Sequence, residues 1–268
     1  MNALPPLLLV LSALQADGGI REKFQALHGK SDVQGCTVLW KAEPSLALPT
    51  IEKDLDEALA LRTSGKDEDV KSAAALESRA LWGARIARDA LDAPMIADLA
   101  AARAGWGERE RGFFADAKRV HARALEWLDK RESRFGLEAA QEAANRSLGI
   151  GDWHGAAKAY ETCAIAHQGA SNFDDSLVAW ETARWIDRGL CLRDRELACL
   201  RGALDVCGAA DRDQRGREIA DQAVALARKA GDKKSEADFL DRRARFEKKL
   251  GLAAEEEATR KEIAAPGK

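Results

Sequence analysis

Two consecutive stretches of the chain carry the same pattern of bulky and small side chains. The first has its pattern residues at offsets of 0, 3, 7 and 10, and the second repeats those offsets twenty residues later. The residues are Trp153, Ala156, Tyr160 and Cys163, then Phe173, Ser176, Trp180 and Ala183. These offsets fall on one face of an α-helix. The sequence therefore predicts two successive antiparallel helices that pack through this face.

Turn residues recur about every twenty residues through the C-terminal half. They lie near residues 151, 171, 190, 211, 231 and 251, with apolar residues at helical spacing between them. Gly151-Asp152 and Ser171-Asn172 supply the turn and N-cap chemistry before the two patterned helices. A helix every twenty residues, paired into a forty-residue unit, is typical of helical repeats. We expect an all-α fold, a right-handed α-solenoid of antiparallel helix pairs.

The pattern divides the chain into four segments: residues 1–16, 17–49, 50–134 and 135–268. Residues 17–49 are poorly patterned, and Cys36–Trp40 is their strand-like run. Because a lone strand has no partner, we expect an extended linker or a helix end there. Pro44 and Pro49 mark the entry to the helical array, and a helix is predicted from about Thr50.

Residues 50–134 contain an amphipathic stripe at helical spacing. Its members are Phe113, Ala117, Val120, His121, Ala124 and Leu128. A stripe of this kind forms the buried side of a helix. A lone histidine on such a stripe is most often a hydrogen-bonded core or interface residue, and this is our expectation for His121.

Residues 1–16 form an apolar run followed at once by charged, glycine-containing sequence. The run is too short to span a bilayer as a stable helix. It is typical of the apolar region of a secretory signal, with cleavage after Ala13 or Ala16, although no Lys or Arg precedes it. We therefore expect an exported protein. The alternative is a cytoplasmic protein in which this run is an N-terminal helix or tail.

Composition narrows the classes of function. The chain is 46% hydrophobic and 32% charged, and its formal net charge is −3. Acidic and basic residues are interleaved, so no basic stripe for nucleic acid stands out. The five cysteines show no metal-ligand spacing.

We find no phosphate-binding loop, zinc-protease motif or nucleophile elbow, and we predict no catalytic, cofactor-binding or metal-ligating residue.

The central stretch resembles tetratricopeptide (TPR) repeats. Gly151-Asp152-Trp153 resembles the turn between the two helices of a repeat, and Ala156, Tyr160 and Cys163 match the small and aromatic positions that follow it. The spacing is nearer forty residues than the thirty-four of the family. The resemblance implies a concave surface that binds a peptide or protein. Asn145 falls where family members place a carboxylate-clamping asparagine, but Gln141 stands where the clamp has a basic residue.

We therefore expect a non-catalytic scaffold for protein–protein or protein–peptide contacts, with no site residues assigned. The alternatives are an all-α enzyme or small-ligand carrier with a buried polar pocket, and a self-assembling structural protein. Trp180 and Trp185 are five positions apart, about 140° around a helix. One of the two is therefore expected at the surface, where tryptophan often anchors a partner.

Overall fold

The computed structural model describes residues 19–64 and 66–264, and this part of the chain is all-α. This described part is 88% helical and contains no strand. Its thirteen helices are α1 (residues 19–29), α2 (Val33–Ala42), α3 (Pro44–Ser64), α4 (Asp67–Leu91), α5 (Pro94–Ala104), α6 (Glu108–Asp129), α7 (Ser133–Gly149), α8 (Trp153–Gly169), α9 (Phe173–Gly189), α10 (Arg193–Ala209), α11 (Asp213–Ala230), α12 (Lys233–Lys249) and α13 (Ala253–Ala264). The predicted signal at residues 1–16 lies outside the described residues. No described helix has the length and apolar character needed to cross a membrane.

The predicted twenty-residue period is confirmed in the backbone. From α7 to α12 each helix has 17 or 18 residues. A residue with a left-handed backbone follows each of the helices α6 to α12, at intervals of twenty. These residues are Arg131, Gly151, Ser171, Cys191, Asp211, Gly231 and Gly251. A single left-handed residue ends a helix and reverses the chain. Helix and turn together thus form one unit of constant length.

The Cys36–Trp40 run is not an extended linker, because it lies inside α2 and extends to within two residues of the helix end. The carboxylate of Asp32 accepts a hydrogen bond from the Gly35 backbone N–H and caps the helix. Cys36 and Trp40, one turn apart, are both buried. Tertiary packing of this face overrides the strand propensity of the run.

Helix α3 also begins earlier than the sequence predicted. It starts at Pro44 and contains Pro49, whereas the two prolines were expected to precede the helix. Pro44 occupies the first position, where a missing N–H costs nothing. Pro49 removes one intrahelical hydrogen bond. Ala47, Leu48 and Ile51 are buried around it, and their packing offsets that loss.

The chain forms two compact units. Unit 1 consists of the described residues up to Arg109 with Ile150–Asp152 and Gly189–Leu192, and unit 2 holds the rest. In unit 1, the inner faces of α1 and α2 pack on α4. Phe24 lies between Trp40 and Trp82, with ring centroids 5.2 and 5.9 Å away. The Trp40 indole N–H donates to the Gly83 carbonyl at 3.2 Å.

Unit 2 stacks its helices in two layers. Helices α6, α8, α10 and α12 lie side by side, joined by side-chain contacts between residues 34 to 41 positions apart, such as Arg195 with Glu161 and Arg242 with Asp205. The other layer contains α9, α11 and α13, joined for example by Arg184 with Gln222. Successive helices alternate between the layers, so neighbours within a layer are one helix pair apart. This is the solenoid-like stacking that the period predicts.

The repeated seam lies at the contact between the layers. Ala156, Cys163, Ser176 and Ala183 are buried, and the Ser176 hydroxyl donates to the Ala164 carbonyl at 2.7 Å. The stripe predicted on α6 is confirmed at Ala117, Val120 and Ala124, which are buried, and wrong at its first member. Its aromatic member is the buried Phe114, whereas Phe113 is exposed.

Candidate functional site

A group of buried and partly buried ionisable side chains in unit 2 joins three helices. Glu161 of α8, Asp187 of α9 and Cys199 of α10 each place a polar atom within 4.8 Å of the other two. Arg195 donates to Glu161 Oε1 at 2.8 Å and to Asp187 Oδ1 at 3.1 Å. The Cys199 thiol lies 3.5 Å from one oxygen of each carboxyl group. We refer to these four residues as the acid–thiol cluster.

Burial dominates the electrostatics of this cluster. Loss of hydration raises the pKa of Glu161 and of Asp187, and the Arg195 guanidinium only partly opposes this. The negative charge of Asp187 raises the pKa of Glu161 further. Burial and both carboxylates raise the pKa of the Cys199 thiol far above its ordinary value. The cluster therefore holds its protons more tightly than the same groups do in water.

Two oxygens and one sulfur at this spacing match the ligand types of a divalent cation. Arg195, however, already donates to both carboxyl groups, and the thiol is held in its protonated form. A cation would have to displace the guanidinium and remove the thiol proton. The arrangement is that of an internally neutralised ion-pair network.

A second buried acid repeats part of this geometry. Glu247 ends α12 as Asp187 ends α9, and it accepts a 2.7 Å hydrogen bond from Thr259, twelve residues further along. Cys199 stands twelve residues after Asp187. The repeat places a buried carboxylate and its donor at equivalent positions of α9–α10 and α12–α13. This recurrence argues that such acids lock successive helices together.

His121 is hydrogen-bonded at a helix interface, as the sequence predicts. Its Nε2 lies 2.8 Å from the Thr162 hydroxyl on α8. Burial lowers its pKa, and the nearby Lys158 and Arg195 charges lower it further. At neutral pH the ring is therefore uncharged, and it links α6 to α8.

The outer face of α9 carries two large exposed apolar side chains. Trp185 is 60% exposed and Val178 is 63% exposed. The two are seven residues apart, two turns along one face of the helix. Trp180, five positions before Trp185, is 8% exposed. One of the two tryptophans therefore lies at the surface, as predicted.

Carboxylates surround these two apolar residues. Asp174, Asp175 and Glu181 occupy the other exposed positions on this side of α9 before Trp185. All three have a partner within the chain: Asp174 pairs with Arg212, Glu181 pairs with Arg215, and Asp175 lies 3.9 Å from His167 Nδ1. We define the α9 face as these three acids together with Val178 and Trp185.

The two residues suggested by the TPR carboxylate clamp lie on α7. Asn145 and Gln141 are both exposed there, and Asn145 occupies the helix position that Trp185 occupies forty residues later. The structure thus places Asn145 on a surface, with no basic side chain at position 141. The acid–thiol cluster, by contrast, has no signal in the sequence, because its members come together only through the lateral register of three helices.

No protein-family model matches the chain, and the search of curated proteins finds no match either. The TPR resemblance therefore depends on the residues named above. What the structure establishes is an all-helical, repeat-like architecture.

Proposed function

We propose that this chain is a non-catalytic, TPR-like scaffold that binds a protein or peptide partner through the α9 face. The observation that carries the proposal is the exposure of Trp185 beside Val178 on one helix face. Trp combines a large apolar area with an N–H donor, and it is enriched among residues that dominate binding energy.

The surroundings of Trp185 support an anchor rather than a buried packing role. Its own helix already packs through the opposite side, where Trp180 and Ala183 are buried. A partner that covered Trp185 and Val178 would remove both from water. Burying two such side chains contributes several kcal/mol, at about 1.5–3 kcal/mol for an aliphatic or aromatic side chain.

The second function class relies on a different observation, the acid–thiol cluster. An enzyme or a small-ligand carrier would use Glu161 and Asp187 as acid–base or binding groups. Their oxygens already accept from Arg195 and Cys199 within the protein, so these contacts favour a structural role. We also propose that the scaffold is exported after removal of residues 1–16, on the basis of the apolar run described above.

The test is an affinity capture with three baits: the native chain, Trp185→Ala and Ile165→Ala. Ile165 occupies the position on α8 equivalent to Trp185 on α9 and is 46% exposed, so it is a matched control. We expect one protein, identified by mass spectrometry, to be retained by the native and Ile165→Ala baits and lost from Trp185→Ala. Equal retention by all three baits would refute the role of the α9 face.

Solution mass distinguishes the self-assembly alternative. The protein is self-associating if the native bait captures only further copies of the chain. Light scattering should then give the mass of an oligomer for the native chain and that of a monomer for Trp185→Ala. The α9 face would then be an interface between copies.

A further inference from the structure

Unit 1 carries an apolar groove between α1 and α2, on the side turned away from α4. It encloses about 430 Å³ and is lined by α1, α2 and the turn between them. Ala26 and Leu27 form one wall, and Val38, Leu39 and Ala42 form the other. The α2 residues follow helical spacing and form an apolar stripe, and the adjacent Ala26 and Leu27 of α1 face it across the trough.

The floor of the groove is a close approach between the two helices at Gly35. A side chain there would collide with Leu27 and with the Asp32 carboxylate, each 2.5 Å from the position of an added Cβ. Asp32 is occupied as the cap of α2. The glycine therefore keeps the trough open between the two apolar walls.

The surface of this groove is more apolar than expected for a solvent-exposed helix pair. The outer face of an unpartnered repeat is ordinarily polar, because the protein must remain soluble. Here Val38 is 60% exposed at the rim. The inner faces of α1 and α2 are already used, through Phe24 and Trp40. A third element would bury the two apolar walls.

The rim of the groove is positively charged. Lys23 of α1 and Lys30 of the turn that follows α1 line it, seven residues apart, and they outnumber its one lining carboxylate, the α2 cap Asp32. Neither ammonium group has an ion-pair partner among the described residues. The trough has two walls, a third side that no described residue covers, and two cations without an ion-pair partner in the described part of the chain. This makes it complementary to an amphipathic helix whose apolar stripe is flanked by carboxylates.

We propose that the α1–α2 groove binds an acidic amphipathic helix of a partner protein. Leucine-like residues spaced i, i+3, i+4 and i+7 fill the trough, and carboxylates two turns apart pair with Lys23 and Lys30. The site does not depend on the α9 face and takes a partner of defined charge.

The probe is a fluorescein-labelled synthetic helical peptide of leucine, alanine and glutamate with that leucine spacing. Its control has lysine at every glutamate position. Fluorescence anisotropy is measured with the full chain. We expect saturable micromolar binding of the glutamate peptide, weakening as salt screens the two lysines, and no binding of the lysine peptide.

Matched variants locate the binding. Val38→Asp should abolish it, and Val178→Asp, which changes an equally exposed valine on the α9 face, should leave it unchanged. The double variant Lys23→Gln/Lys30→Gln should weaken binding roughly tenfold and flatten its salt dependence. Circular dichroism melting confirms that each variant is folded.

The inference is overturned if the full chain does not bind the glutamate peptide, binds both peptides equally, or binds equally with Val38→Asp. Binding of oleate in place of the peptide would also overturn it, since the groove would then be a site for a single-chain amphiphile. The affinity capture with Trp185→Ala is independent of all these outcomes, so either proposal can fail alone.

Discussion

The Cys199 thiol donates a hydrogen bond to Asp187 across the contact between α9 and α10, with Sγ 3.5 Å from Oδ2. Glu161 accepts from the same thiol at the same distance. A buried thiol between two carboxyl groups keeps its proton, because a thiolate there would add negative charge to a site with little water. This relationship makes the cluster an acid-rich interior that is stable only while its charges are balanced.

The buried acids should give the protein a distinctive dependence on pH. Burial raises the pKa of Glu161, so its proton stabilises the folded state below the unfolded value of about 4.3, and this contribution is lost as pH rises through the folded pKa. The Glu161→Gln variant lacks this titration. We expect the free energy of unfolding of the wild type, relative to Glu161→Gln, to increase as pH falls from 7 to 4.

Urea unfolding monitored by circular dichroism at several pH values measures this difference. The control is Glu138→Gln, at an exposed position on α7. Its difference from the wild type in the free energy of unfolding should vary less with pH. A difference between wild type and Glu161→Gln that stays constant with pH would contradict the raised pKa.

The cysteines should differ sharply in reactivity. Burial raises the pKa of Cys36 and Cys163 to about 12 and that of Cys207 to about 11, and Cys199 lies higher still. Cys191 is less buried. Since the thiolate is the reactive form, iodoacetamide at pH 8 should modify Cys191 first in the folded protein.

Peptide mapping by mass spectrometry checks this order. The Cys191→Ser variant should take up almost no label until urea is added, after which the other four thiols react. Early labelling of Cys199 in the folded chain would show that the acid–thiol cluster is open to solvent.

Gly202 allows α10 to approach α9 closely enough to contact the Trp180 ring. An added Cβ at this position would overlap the indole. We expect Gly202→Ala to lower the free energy of unfolding by about 1–3 kcal/mol, because Trp180 must leave its packed position. Gly112, inside α6, has no such neighbour. Gly112→Ala should raise the stability by about 0.5–1 kcal/mol through helix propensity alone, and chemical unfolding of both variants provides the comparison.

The left-handed turn positions predict opposite effects from opposite substitutions. Ser171 has a φ of 61° and Gly231 a φ of 69°. Replacing Ser171 with glycine removes a steric cost and should stabilise the protein by about 0.5–1 kcal/mol. Gly231→Ala should destabilise it by about 1 kcal/mol, although the space around it is open, because the cost lies in the backbone. If thermal melting shifts both variants in the same direction, the turns do not have the conformation described.

Local signals in the sequence were enough to predict most of the helical architecture. Gly151-Asp152 predicted the turn before α8, and the five positions between Trp180 and Trp185 predicted that only one could be buried. The failures have a common physical origin in tertiary packing. Cys36 and Trp40 are buried within unit 1, and this burial stabilises a helix in a strand-like run. Packing around Pro49 offsets the cost of a proline within α3.

The candidate sites were harder to predict because they depend on lateral register. Glu161 and Arg195 are 34 residues apart, and nothing in either helix alone indicates that the other will lie beside it. The groove between α1 and α2 was missed because residues 17–49 were interpreted as poorly patterned. Two short helices of different register, not one long periodic segment, create its walls.

The constant spacing of left-handed turns from Arg131 to Gly251 constrains how such a protein can change in length. Inserting or deleting forty residues, one helix pair, would return every later helix to its own layer with its outward side chains still outward. Inserting or deleting twenty residues, one helix, would move every later helix into the other layer. Exposed polar residues such as Glu181 of α9 and Asp221 of α11 would then lie in the wrong layer. Growth and shortening of this array are therefore expected to proceed in whole helix pairs.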